Sequence, residues 1–199
     1  MVTRYIPLKE VTTRSADDGS PILEGFFVRY DDVYELAPGA TESIAPGAFT
    51  ESIHGDVRAL YNHNTDVVLG RTSAGTLELE DRTEGLWGKI TINPKDSQAR
   101  DVYERIARGD IDGCSFGFEI EKESTTVKED GSVHWTIEKV NPLYEVSPVA
   151  FPAYKATNIH ARDKDLEEIR QRQAQAWRES MKARLKNGTK GTDVKKKDQ

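Results

Sequence analysis

The chain has 199 residues, 36% of them hydrophobic and 31% charged, with a net charge of −6, enough to bury one core and carry an appendage. Its single cysteine excludes an internal disulfide framework, and with four scattered histidines it gives too few ligands for a structural zinc cage. No apolar run is long enough to span a membrane, and the start, MVTRYIPLKEV, lacks the apolar core of a secretory signal, so a cytoplasmic setting is expected.

In chain order, ILEGFFVRY at 22–30 is aromatic and β-branched and predicts a strand. Residues 31–50 carry two Pro-Gly breaks and predict a loop with a short helical turn. VRALYNH at 57–63 and DVVLGRT at 66–72 predict short strands. GTLELEDR at 75–82 and GLWGKITI at 85–92 alternate and predict a hairpin closed by Thr-Glu-Gly. SQARDVYERIAR at 97–108 places Ala99, Val102, Tyr103, Ile106 and Ala107 on one helical face, with Ser97 as the expected N-cap and Gly109 past the end. A strand over 111–120 follows. The Asp-Gly turn at 130–131 then leads into VHWTIEKV at 133–140, and LYEVSPVAF at 143–151 predicts a further β run.

Beyond Arg162 the composition is helical, with a sparse apolar face of Leu166, Ile169, Trp177, Met181 and Leu185. Residues 187–199 predict disorder. Residues 1–160 hold 16 Lys and Arg against 27 Asp and Glu, whereas residues 161–199 hold 12 against 7. An acidic body, 1–160, and a basic extension, 161–199, are therefore expected to do different jobs. The fold class predicted is mainly β (α+β): a closed or strongly curved antiparallel barrel flanked by helices.

The chemistry centres on GCSFGF at 113–118. Neighbouring side chains on a strand face opposite ways, so Cys114 and Ser115 cannot share a pocket. Gly113 and Gly117 flank Ser115 on its own face, which predicts an open floor there. Cys114, Phe116 and Phe118 then form the core face. A serine needs a base. Of His54, His63, His134 and His160, His63 is best placed, at the end of a strand leaving an apolar run. A third group should orient that histidine. Glu145, a carboxylate among apolar neighbours, and Asp66, three residues after His63, both qualify, and sequence distance does not decide between them. No motif calls for a cofactor.

SIAPGAF at 43–49, LYNHN at 60–64, VLGRTSAGTLEL at 68–79, DGCSFGF at 112–118 and EVSPVAFPAY at 145–154, in this order, resemble the prohead (capsid maturation) serine proteases of tailed bacteriophages. The fold of that family is similar to the herpesvirus assemblins, a β-barrel ringed by helices. The resemblance implies Ser115 as nucleophile and His63 as general base, and suggests Glu145 as third member. The related viral enzymes use a second histidine there, which keeps His54 and His134 in view. Two residues depart from the family pattern: Asn64 follows the motif histidine in place of an acidic residue, and Cys114 precedes the serine in place of a larger apolar one.

The same resemblance implies a serine endopeptidase acting inside the assembling prohead in the host cytoplasm. Its implied substrates are the major capsid protein and the scaffold protein, and a homodimer is suggested. Three lysines in DVKKKDQ are too few to argue nucleic-acid binding, and no membrane partner is expected. Two competing readings are an inactive structural protein of the prohead and a hydrolase using Cys114. Strand alternation argues against the second.

Overall fold

The computed structural model describes residues 2–7, 11–17, 19–30, 32–128, 130–151 and 163–188. Among the described residues the fold is mainly β with two α-helices. Its strands are β1 (Val2–Pro7), β2 (Thr12–Ser15), β3 (Pro21–Arg29), β4 (Tyr34–Ala37), β5 (Ala40–Ile44), β6 (Arg58–Tyr61), β7 (Asn64–Arg71), β8 (Leu77–Arg82), β9 (Gly85–Thr91), β10 (Gly113–Val127) and β11 (Val133–Val149). The helices are α1 (Ser97–Arg108) and α2 (Asp163–Gly188).

The described strands pair into two sheets. One runs β1-β10-β11-β5-β4, with β6 also pairing β11 and β7 pairing β6; the other runs β2-β3-β9-β8. β11 is parallel to both β5 and β6, so the larger sheet is mixed rather than wholly antiparallel. The region read as a loop holds β4 and β5. The two β runs at 133–140 and 143–151 are one 17-residue strand. That length lets β11 pair β5 with its first half and β6 with its second.

The expected β8–β9 hairpin and α1 are present. The N-cap of α1 is Asp96, not Ser97: its carboxylate accepts the Gln98 and Ala99 amides, and a carboxylate also suits the positive end of a helix. Gly109 closes α1 at φ 83°, a left-handed position open to glycine. Ala99, Val102 and Ile106 turn inward, and α1 packs against β2, β3 and β7.

One apolar core joins the two sheets, with Leu23, Phe27, Leu86 and Ile90 from the smaller sheet meeting Cys114, Phe116, Phe118 and Val146 from the larger. Phe116 stacks on Phe118 at 4.9 Å and meets Phe49 edge-on at 5.8 Å. Burying each of these rings contributes roughly 1.5–3 kcal/mol. This packing holds β10 in place.

Candidate active site

Ser115 lies near the start of β10, and register fixes its neighbours. It sits opposite Ser147 of β11 on one side and opposite Tyr5 of β1 on the other. Gly117, two residues on, sits opposite Glu145. In an antiparallel ladder opposed residues share a face, so Ser115, Ser147 and Glu145 lie together. The alternate face carries Cys114, Phe116 and Phe118, all fully buried, as the alternation predicted. The open floor expected around Ser115 is not found. All of Gly113–Phe118 is buried, because both faces of this end of β10 are covered, and Ser115 is only 1% exposed. Its hydroxyl oxygen is buried without a hydrogen-bond partner among the described residues.

His63 is placed by a tight turn. β6 and β7 form a hairpin in which Tyr61 pairs Asn64, leaving Asn62 and His63 as the two turn residues. Both have positive φ, 51° and 59°, as a type I′ turn requires. Asn tolerates that region better than most residues, and Asn62 is also tied to the end of β11. Its amide donates to the Pro148 carbonyl at 3.0 Å, and its side-chain oxygen accepts the Ala150 amide at 3.0 Å. The turn is thereby clamped over the strand that carries Glu145.

The His63 ring donates from Nδ1 to Glu145 Oε1 at 2.8 Å. Glu145 is 4% exposed, and its second oxygen accepts the hydroxyl of Ser147, itself fully buried. Each oxygen of this buried carboxylate thus has a donor, as a low-dielectric site demands. The carboxylate bonded to His63 is therefore the one distant in sequence. The nearby Asp66 instead has its amide in a local turn, donating to Asn64 Oδ1 at 2.9 Å. Sequence reasoning passed over Ser147, although its i+2 spacing from Glu145 on a strand puts both on one face.

The remaining candidates lie elsewhere. His134 uses both ring nitrogens, on Thr41 and Ser43 at 2.9 Å each, at the opposite end of β11. His54 closes a 3-10 turn at Ser52–His54. His160 falls outside the described residues. Burial, and secondarily the charge of Glu145, pushes the Cys114 thiol well above its ordinary range, so it stays protonated and unreactive at neutral pH. The Arg71 guanidinium is bound to Asp56 at 2.6–2.8 Å, and its amide is donated to Thr76.

Beside His63 and Glu145 opens a cleft of about 400 Å3, lined also by Arg58, Leu60, Thr65, Glu119 and Tyr144. The Tyr144 hydroxyl donates to Glu119 at 2.6 Å across its rim.

A histidine held by a buried carboxylate, on the sheet face that carries a serine, is an arrangement of the serine-peptidase class. Residues 9–172 match the model of the caudovirus prohead serine proteases, and the chain belongs to that family. It is a serine peptidase of capsid maturation. The chain is similar to the prohead protease of Enterobacteria phage HK97, with 24% identity over 164 residues covering 80% of this chain and 68% of that one. Among solved structures it is similar to the bacteriophage T4 capsid assembly protease, at 12% identity and a TM-score of 0.41, covering 75% of this chain and 99% of that one.

Proposed function

We propose that Ser115 is the nucleophile, His63 its general base and Glu145 the group that orients His63. The observation that carries this reading is the 2.8 Å bond from His63 Nδ1 to Glu145, made on the face that Ser115 shares. With Nδ1–H committed to the carboxylate, the lone pair of Nε2 is left to take the Ser115 proton. Ser115 Oγ then attacks the scissile carbonyl, the imidazolium returns its proton to the leaving amine, and water hydrolyses the acyl-enzyme. In this scheme Glu145 keeps its bond to Nδ1 and balances the imidazolium charge.

The substrates in this proposal are the major capsid protein and the scaffold, cut inside the assembling prohead. Residues 1–160 form the protease unit, and the basic extension 161–199 docks it on the shell. We also read the two sheets as a strongly curved, barrel-like wall. Arg4 of β1 reaches Glu42 of β5 although β10 and β11 lie between those strands, which supports strong curvature.

The test is proteolysis by Ser115→Ala, His63→Ala and Glu145→Gln chains beside wild type. Loss of cleavage by about 10⁴-fold in the first two supports the reading. Undiminished cleavage by Ser115→Ala contradicts it.

A further inference from the structure

The strand β1 occupies an unusual place. It is an edge strand paired antiparallel to β10, with Tyr5 opposite Ser115, Arg4 opposite Phe116 and Thr3 opposite Gly117. It therefore covers the side of Ser115 away from Ser147, Glu145 and His63. The exposed edge of a sheet is a template for an extended chain, and strand addition is a general way to hold a peptide. β1 also lies outside the region shared with the family model, which begins at residue 9.

Two further features mark this edge as a ligand site. The Ser115 hydroxyl, on the strand that β1 pairs with, is buried and lacks a hydrogen-bond partner among the described residues. Arg4 sends its guanidinium 2% exposed into the interior, where it meets both oxygens of the fully buried Glu42, one of them at 2.7 Å. A buried, two-pronged carboxylate is a receptor for a planar guanidinium.

We propose that the outer edge of β10 over Gly113–Phe118 is the peptide-binding edge of the protease. It takes an extended chain antiparallel to β10, with an arginine, one residue before the one facing Ser115, seated on Glu42. β1 is its intramolecular occupant. The assignment of this edge to substrate rests on Ser115 being the nucleophile; the binding of an arginine-bearing strand does not.

The experiment uses the full chain with a recognition site for an exogenous protease inserted after Lys9, so that folding precedes cutting and β1 becomes exchangeable. A fluorescent peptide of residues 1–9 is then titrated by anisotropy. Its Arg4→Ala version and a Glu42→Gln chain serve as controls, and hydrogen exchange follows the amides of 113–118. In parallel, a fluorophosphonate probe reports the reactivity of Ser115. Saturable binding is expected, weakened about ten-fold or more by either control change. Probe labelling should be about ten-fold faster in cut chain washed free of β1 than in uncut chain, and the added peptide should slow it again while restoring amide protection at 113–118. No binding, binding indifferent to the arginine, or unprotected 113–118 amides overturns the peptide site. If the peptide binds as described but the probe never labels Ser115, the site stands and the nucleophile assignment falls.

Discussion

Glu145 is held by two donors, His63 and Ser147, and the carboxylate and Ser147 each make a separate prediction. If Glu145 orients and balances His63 as proposed, replacing it with Gln keeps the shape but removes the charge, so kcat should fall about 10²–10⁴-fold with KM little changed. Ser147→Ala removes the second donor from a buried carboxylate. A hydrogen bond to a charged group contributes about 1.5–3 kcal/mol, so a drop in kcat of roughly ten- to a hundred-fold is expected, with Ser147→Thr retaining more activity. Steady-state kinetics on a fixed peptide separate these outcomes.

Cys114 makes the opposite prediction: Cys114→Ala should leave cleavage intact. Its thiol is raised in the folded state, so the folded chain cannot ionise it where the unfolded chain can. Below the ordinary thiol range of about 8.5 that contribution to stability is fully present, and it is lost as pH rises beyond it, by up to about 1.4 kcal/mol per pH unit. Urea titrations between pH 7 and pH 10 should show this alkaline loss in wild type and less of it in Cys114→Ala.

Among the elements, the hairpin of β6 and β7 is the part on which the histidine depends most. Asn62 holds a left-handed φ and two bonds to the end of β11. Asn62→Val adds a β-branched side chain where φ is positive and removes the Ala150 bond. It should destabilise the chain by roughly 1–2 kcal/mol and mis-aim His63, so kcat falls further than stability alone explains. Thermal melts beside kinetics test this. At this scale much was legible in the sequence. Alternation sent Cys114, Phe116 and Phe118 inward, and the α1 face and the β8–β9 hairpin follow from local period and turn residues.

What stayed hidden depended on partners far along the chain. Arg4 interrupts the apolar pattern of β1 and is buried because Glu42, 38 residues on, receives it. β4 and β5 sit among glycines and prolines that read as punctuation, and are ordered by β11. His63 was legible as an exit from a strand, but the choice of Glu145 over Asp66 needed the fold, because only the pairing of β6 with β11 brings residue 145 beside residue 63. The burial of Ser115 was illegible for the same reason: the strands that flank it, β1 and β11, are both far from it along the chain.

At the scale of the molecule, α2 runs over Asp163–Gly188, with Trp177 65% exposed. Its Gln173 side chain lies against Gly131 at the tip of the β10–β11 hairpin, where an added Cβ would meet it at 2.9 Å. If the extension docks the enzyme, a chain ending at residue 160 should cut a free peptide at the wild-type rate. It should cut capsid protein within proheads about ten-fold or more slowly, since tethering raises local concentration. Equal rates on both substrates would remove the docking role.

The most direct measurement is to co-express the chain with its major capsid protein and scaffold, wild type beside Ser115→Ala, and to follow fragment masses with time. Time-dependent fragments in wild type, with every protein left full length in Ser115→Ala, are the predicted result. Equal fragmentation in both would contradict Ser115 as the nucleophile and, with it, the reading of the His63–Glu145 pair as its base.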